Sequence, residues 1–222
     1  MSDAFAGRRV LVTAGPTFED LDPVRFLGNR SSGKMGFAIA AAAHRAGAEV
    51  VLVAGPVHLP TPDGVQRIDV RSAAQMHAAV FGALPADVYI GAAAVADFTP
   101  ARIAPSKIKK RPGEDGLTLQ LVRTRDILAE VAAAASRPAL VVGFAAETDD
   151  VEVNARGKLA AKCVDLIAAN RVGVSGSGFE SDDNTLLVHD AAGHVQLGPA
   201  SKAEIADRLV ALVAARLVQE PR

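Results

Sequence analysis

The stretch Arg9-Val10-Leu11-Val12-Thr13-Ala14-Gly15-Pro16-Thr17 decides the fold of this chain. Its first half is a short apolar run, which is typical of a strand buried in a sheet, and its Gly-Pro end predicts a turn. A helix is predicted over 35–46, with Gly47 as its C-terminal stop, and a second strand over 49–54. A strand, a helix and another strand are the repeating unit of a parallel sheet.

The same alternation continues along the chain. Further strands are predicted at 65–70, 87–92, 139–145 and 165–169, and a hairpin joins 185–189 to 195–197. Helices are predicted at 73–81 (with Ser72 as its cap), 126–135, 151–162 and 202–217. We therefore predict an α/β fold in which helices cover both faces of a mostly parallel sheet, as a single domain over 1–222.

Composition excludes several classes of function. The net charge is −1, so no general basic field attracts nucleic acid or an acidic membrane, and neither is expected as a partner. No secretory signal and no membrane-spanning run is visible. The single cysteine, Cys163, excludes an internal disulfide, fits a cytoplasmic location and is expected to be a small buried side chain.

Four segments depart from the alternation. We predict an irregular loop over 18–27, an edge strand over 117–122 and a glycine-serine loop over 170–183. The segment 99–116 is rich in Pro, Lys and Arg and has no apolar period. Loops of that length are usually functional, so it is predicted to be a mobile lid.

The stretch Gly28-Asn29-Arg30-Ser31-Ser32-Gly33-Lys34-Met35-Gly36 opens a predicted helix with glycines, hydroxyls and cations. A loop of this composition at a helix start suits an anion. It fits the first seven positions of a Walker A loop, but Met35 stands where a Mg²⁺-binding Ser or Thr is needed, and the first strand ends well upstream. The other alternative is a Ser-Gly turn that only caps the helix.

Cations elsewhere are predicted to reach the same edge of the sheet. The run Lys107-Ile108-Lys109-Lys110-Arg111 lies on the predicted lid, and Lys158 and Lys162 share one helical face. Asp97 follows a strand end, where a carboxylate can bind a hydroxyl, an amine or Mg²⁺. Each charge group could also be solvated surface. Together they favour phosphate-activated ligation, with either two phosphorylated ligands or one nucleotide and a phosphorylated acid.

These motifs resemble those of a known family. They lie at 13–17, 22–25, 29–36, 92–98, 107–110, 143–148 and 169–170. The chain is similar over nearly its whole length to bacterial phosphopantothenoylcysteine synthetases, the second activity of the bifunctional coenzyme A biosynthesis flavoprotein. Phe98 departs from the family pattern, in which a tyrosine is common.

The resemblance implies a Rossmann-like, ribokinase-like homodimer that uses CTP and Mg²⁺. 4′-Phosphopantothenate would be activated to an acyl-cytidylate, and the amine of L-cysteine would then displace CMP. The implied catalytic residues are Asn29 and Lys107. The implied CTP-binding residues are Ala93, Ala94, Val95, Asp97, Lys107, Arg125, Asp126, Ile127, Leu128, Phe144, Lys158 and Lys162. Those for phosphopantothenate are Arg25, Asn29, Ser31, Ser32, Gly33 and Lys34.

Some questions stay open at the level of sequence. The FMN-binding decarboxylase half that is usually fused upstream is absent from this chain, which is either a one-activity protein or an excised domain. CTP rather than ATP follows from the resemblance alone, and no Mg²⁺ ligand set is evident. A nucleotide-sensing module without turnover is the alternative. An NAD-dependent oxidoreductase is disfavoured because no G-x-G-x-x-G follows the first strand.

Overall fold

The computed structural model describes residues 4–110, 113, 115–147, 151–171 and 182–219. The strands are β1 (Arg9–Ala14), β2 (Phe18–Asp20), β3 (Phe26–Gly28), β4 (Glu49–Ala54), β5 (Gln66–Asp69), β6 (Val88–Gly91), β7 (Phe98–Pro100), β8 (Leu121–Arg123), β9 (Leu140–Glu147), β10 (Leu166–Arg171), β11 (Asp183–His189) and β12 (His194–Ser201). The helices are α1 (Lys34–Arg45), α2 (Ala73–Gly82), α3 (Ile127–Ala132), α4 (Val151–Lys162) and α5 (Lys202–Gln219).

Eight strands form the central sheet in the order β12-β11-β10-β9-β6-β1-β4-β5. The pairs from β10 to β5 are parallel, and β11 and β12 are antiparallel additions. From β1 the chain first builds outward through β4 and β5, and then returns to the other side of β1 with β6. In sheets of this kind ligands bind beyond the strand ends at such a reversal of order.

Helices cover both faces of the sheet and enclose two apolar cores. On one face, α1 and α5 bury residues such as Ile39 and Leu209. On the other face, α2, α3 and α4 bury residues such as Met76 and Val131. β1 serves both cores, because alternate side chains along a strand point to opposite faces. The α/β fold predicted from the sequence is confirmed.

Helix boundaries follow the predicted signals closely. Ser72 accepts a hydrogen bond from the Gln75 N–H, and the Gln75 side chain accepts one from the Ser72 N–H, which completes a capping box. Gly47 has a φ of 93°, a left-handed conformation that ends α1 and suits glycine.

The predicted irregular loop over 18–27 is wrong, because β2 and β3 form an antiparallel hairpin there. The rings of Phe18 and Phe26 stack across it at 3.9 Å. A Cβ at Gly28 would lie 2.6 Å from the Phe18 ring, so glycine allows this close approach. Aspartates and Pro23 in the turn conceal the short strands from a reading of local pattern.

Two further expectations are corrected. The edge strand predicted over 117–122 is limited to β8, which pairs with β7 in a separate two-stranded ribbon rather than joining the central sheet. Cys163 is exposed rather than buried, since it follows the last residue of α4 with a φ of 51°. The predicted loop over 170–183 begins later, after β10, and 172–181 lie outside the described residues.

Within the described part of the chain, none of the helices has the length and apolar character needed to cross a membrane.

Candidate functional site

A cleft of about 900 Å³ lies at the carboxyl edge of the sheet, beside the ends of β1, β6 and β9. It occupies the place where the strand order reverses. Most of the predicted site residues line it. They are Asn29, Ser31, Ser32, Gly33, Lys34, Ala93, Ala94, Val95, Asp97, Arg125, Asp126, Ile127, Leu128, Phe144, Lys158 and Lys162.

The glycine-rich loop forms one end of the cleft, and α1 begins there. Gly33 occupies the N-cap position with a φ of 77°, and no side chain caps the helix. Ser31 Oγ instead accepts from the Gly33 N–H at 3.4 Å. This geometry disfavours the Ser-Gly cap and supports an anion loop, since the first N–H groups of a helix need partners.

Asn29 reaches across the cleft to the loop that follows β6. Its Nδ2 donates to the carbonyl oxygens of Ala94 and Val95 at 3.1 and 3.3 Å. The same loop is fixed to the end of β1, because the Ala94 N–H donates to the Gly15 oxygen at 2.9 Å. The wall at 93–95 is therefore a rigid strip of main chain bearing small side chains.

Two threonines form hydrogen bonds to Ala96 and Asp97, which follow this wall. Thr17 is buried, and its Oγ1 accepts from the Ala96 N–H at 2.9 Å. Thr124 Oγ1 donates to the Ala96 oxygen at 2.6 Å, and the Thr124 N–H donates to the Asp97 oxygen at 3.0 Å. Neither role is predictable from the local sequence, because each hydroxyl bonds to backbone far away in the chain.

Asp126 and Lys162 form an ion pair at the opposite wall, where Lys162 Nζ lies 2.5 Å from Asp126 Oδ2. Asp126 also caps α3 by accepting from the Ala129 N–H at 3.1 Å. Burial alone would raise the pKa of Asp126, but the hydrogen bonds from Lys162 and Ala129 outweigh it and lower that pKa. The pair fixes Lys162 near the cleft.

Arg125 forms an ion pair with Glu130. Its Nε donates to Glu130 at 3.0 Å, and His77 from α2 contacts the same carboxylate at 3.0 Å. The Arg125 guanidinium, helped by His77, lowers the pKa of Glu130. The segment at 125–128 is thus tied to α2 and α4 before any ligand binds.

Lys202 and Asn184, which no sequence motif indicated, also line the cleft. Lys34 Nζ lies 2.7 Å from Asp182 Oδ1, and Lys202 is only 7% exposed. Burial and the neighbouring charge of Lys34 lower the pKa of Lys202, and Asp182 offsets this only in part. The predicted hairpin is the feature that could have indicated this position. Because β11 and β12 are each antiparallel to the strand before them, β12 ends at the same edge of the sheet as the carboxyl ends of the parallel strands.

Arg25 and Lys107 are not among the residues that line the cleft. The Arg25 guanidinium binds Asp22 at 2.6 Å and donates to the Ile108 oxygen at 2.7 Å. The Ile108 N–H donates to Asp22 at 3.1 Å, so the segment that carries the exposed Lys107 is fastened to the turn of the β2–β3 hairpin. The roles of both cations stay predictions.

Among the described residues, no group of three or more metal-binding side chains of the His, Cys, Asp or Glu type is found. Asp97 and Asp126 are the described carboxylates that line the cleft, and Asp126 is paired with Lys162. Mg²⁺ is often held by one or two carboxylates together with substrate phosphates, which fits Asp97.

Comparison with known proteins points to one family. Residues 5–217 match the model of the DNA/pantothenate metabolism flavoprotein C-terminal domain. The chain is 51% identical over 208 residues to the coenzyme A biosynthesis bifunctional protein CoaBC of Vibrio cholerae, with 93% of this chain and 52% of that protein covered. It is 54% identical over 179 residues to CoaBC of Escherichia coli K12, with 80% and 44% covered.

A solved structure agrees with this match. The crystal structure of the C-terminal domain of a CoaBC protein is 38% identical, with a TM-score of 0.83, and 99% of this chain and 100% of that chain are covered. The chain spans about half the length of the curated relatives it matches.

Proposed function

Since the chain belongs to the family of DNA/pantothenate metabolism flavoprotein C-terminal domains, we propose that it is the ligase that joins 4′-phosphopantothenate to L-cysteine in coenzyme A biosynthesis. CTP first transfers its cytidylyl group to the carboxylate, and pyrophosphate leaves. The amine of L-cysteine then attacks the acyl carbon, the bond to the phosphate oxygen breaks, and CMP leaves. The amine loses a proton as the amide forms.

The cleft at the carboxyl edge is the observation that carries the proposal. It places cations on both faces of the sheet, with Lys34 and Lys202 at one side and Lys158 and Lys162 at the other. Two phosphorylated ligands need such a site, because their reacting groups repel each other unless cations neutralise them. The main-chain wall at 93–95 leaves room for a ligand between these two sides.

Asn29 is proposed to hold the mixed anhydride. Its amide already faces the wall at 93–95, and an amide can bind a carbonyl oxygen without acting as a competing nucleophile. A carboxylate at this position would repel the acyl phosphate. The first N–H groups of α1 and the side chains at 31–34 would bind phosphate oxygens nearby.

Lys107 and Arg25 are proposed to act in a homodimer. Both lie outside the cleft lining of their own chain, on a surface formed by the β2–β3 hairpin and the β7–β8 ribbon. This surface, which we call the ribbon face, exposes large apolar side chains at Val24, Phe26, Ile103, Leu117, Leu119, Leu121 and Val122. An exposed apolar patch of this kind marks an interaction site, and we propose a second copy of the chain as its partner.

Mg²⁺ would be held by Asp97 and the nucleotide phosphates, where it would neutralise phosphate charge. The cytoplasm is the proposed location. A phosphopantothenoylcysteine decarboxylase, fused or separate, is the proposed partner that takes the product. No FMN site is proposed in this chain.

The direct test combines the chain with CTP, phosphopantothenate, L-cysteine and Mg²⁺. We expect CMP, pyrophosphate and the amide product in equal amounts. Parallel reactions with ATP decide the choice of nucleotide. Nucleotide binding without any CMP would contradict the ligase and favour the nucleotide-sensing module.

Replacement of Asn29 by Asp tests the proposed role of this amide. We expect the variant to release pyrophosphate when given CTP and phosphopantothenate, because activation does not need the amide, but to form little product. The exposed Asn154 on α4 gives a matched control, and Asn154→Asp should ligate like the wild type. Normal ligation by Asn29→Asp would remove Asn29 from its role.

A further inference from the structure

We propose that Thr124 is a positioning residue for the nucleotide, because it fastens the loop after β6 to the segment 125–128 at one end of the cleft. Thr124 lines the cleft and directly follows β8. The inference deepens the proposed function and rests on it for the identity of the nucleotide.

The antiparallel ribbon of β7 and β8 continues beyond its last strand pair through Thr124. That last pair is Phe98 with Arg123. The Thr124 N–H adds one more bond by donating to the Asp97 oxygen at 3.0 Å. Its Oγ1 then donates to the Ala96 oxygen at 2.6 Å. The hydroxyl thus takes the place of a backbone N–H after the main chain has left the ribbon for α3.

Thr124 is followed by two residues that are tied to helices. Arg125 pairs with Glu130 of α3, and Asp126 pairs with Lys162 of α4. Thr124 is bonded instead to the loop after β6. Its two hydrogen bonds therefore set how far this loop stands from the guanidinium and the ammonium group on the other side.

This separation matters for a nucleotide that carries Mg²⁺. The proposed function places Mg²⁺ between Asp97 and the phosphates, and Arg125 and Lys162 also line this part of the cleft. A phosphate chain has to contact both sides at once, and it binds best where these groups are held in place beforehand. The Thr124 hydroxyl provides this preorganisation without touching the ligand.

The other part of the loop after β6 is held by different contacts. Asn29 donates to two of its carbonyl oxygens, and Gly15 and Thr17 accept from two of its N–H groups. These contacts do not involve Thr124. We therefore expect the binding of phosphopantothenate, which is proposed to lie beside Asn29, to be nearly independent of Thr124.

Calorimetry without turnover tests this separation. CTP with Mg²⁺ and 4′-phosphopantothenate are each titrated alone into the wild type, Thr124→Val and Thr124→Ser, and ATP replaces CTP if the wild type binds ATP more tightly. Valine has nearly the shape of threonine but no hydroxyl. We expect it to weaken nucleotide binding by about three- to tenfold, the effect of one lost hydrogen bond, and to leave phosphopantothenate binding nearly unchanged. Thr124→Ser should recover most of the nucleotide affinity.

Thr61 is the matched control, because it is exposed in the loop between β4 and β5. Thr61→Val should bind both ligands like the wild type. Wild-type nucleotide affinity in Thr124→Val, or no recovery in Thr124→Ser, would overturn the proposal. An equal loss for both ligands together with a lower melting temperature would also overturn it, because that result indicates a structural role.

Amide hydrogen exchange in the wild type covers the case in which Thr124→Val does not fold. The Thr124 N–H donates to the Asp97 oxygen, so nucleotide binding should slow its exchange, whereas phosphopantothenate should not. Exchange that is unchanged at saturating nucleotide would contradict the positioning role.

The ligase and the positioning role fail separately. A wild type that forms no CMP, with a loss of nucleotide affinity specific to Thr124→Val, would contradict the ligase and leave the positioning role standing. Ligation by the wild type with unchanged nucleotide affinity in Thr124→Val would do the reverse. Binding of neither CTP nor ATP to the wild type would overturn both.

Discussion

Asp22 shows how one side chain joins two segments that are distant in sequence. It is buried and accepts hydrogen bonds from the N–H groups of Val24, Arg25 and Ile108, as well as from the Arg25 guanidinium. Two of these donors close the turn of the β2–β3 hairpin, and the third fastens the segment that carries Lys107. The local turn and the distant segment therefore depend on the same carboxylate.

Replacement of Asp22 by Asn should destabilise the protein in a pH-dependent way. Burial would raise the pKa of Asp22, but the hydrogen bonds outweigh it and hold the pKa well below the usual 3.8. The stabilisation from the charge is thus complete above pH 3.8 and is lost as the pH falls further. Urea unfolding at pH 7 should show a lower stability for the variant, and this difference should shrink towards pH 3.

The exposed Asp63 is the control, and Asp63→Asn should match the wild type at both pH values. A loss of stability for Asp22→Asn that is the same at pH 7 and pH 3 would contradict the role of the charge.

The residues of the site were predictable where a motif is continuous in sequence. The stretches at 29–36, 93–95 and 125–128, together with Asp97, line the cleft, because each follows a strand or opens a helix at the same edge. Lys202 and Thr124 could not be found in this way. Each belongs to the site through a contact with residues far away in the chain, and no local sequence pattern predicts such a contact.

Among the elements, α1 depends on a close approach to β1. A Cβ at Gly36 would lie 2.5 Å from the Ala14 Cβ, so the first turn of α1 packs directly on the end of β1. This contact aims the N-terminus of α1 at the cleft. The glycine is there for packing, although it lowers helix propensity.

Gly36→Ala should therefore destabilise the protein by about 1–3 kcal/mol, the range for overpacking, despite a gain in helix propensity. Gly157 on α4 is the matched control, since a Cβ there meets nothing within 4 Å. Gly157→Ala should stabilise by about 0.5–1 kcal/mol. Thermal and urea unfolding check both, and equal stabilisation by the two changes would refute the packing argument.

Elements were predictable where the apolar period is long. β1, β4 and α5 have bounds close to the predicted ones, because each buries a continuous stripe or run. The short strands β2, β3, β7 and β8 were missed or misplaced. They have only three residues each and are held by a ring stack, by buried Asp22 and by pairing with each other, not by burial in the central sheet.

At the scale of the whole molecule, the ribbon face stands apart from the two cores. It consists of the hairpin and the ribbon outside the central sheet, and its apolar side chains are exposed. Parallel strands with helices on both faces leave no such surface of their own. A second copy of the chain would bury it and bring another Arg25 and Lys107 close to the interface.

Val122→Glu on the ribbon face should therefore shift the protein from dimer to monomer and lower ligase activity. Val122 is 46% exposed, and a charge there would be buried without a partner in the dimer. Sedimentation measures the mass, with Val218→Glu as the control at an apolar residue of α5 that is 80% exposed. A monomeric wild type, or a dimeric Val122→Glu, would contradict the proposed interface.

The main-chain wall at 93–95 also limits how the ligand preference of this protein can evolve. Its polar groups belong to the peptide backbone, so a substitution other than proline leaves them in place. Most substitutions at Ala93 and Ala94 fill the space beside the wall with a larger group. We therefore expect ligand preference to drift through crowding of this wall rather than through the loss of contacts, and resistance to a competitive inhibitor at this wall to arise by the same route.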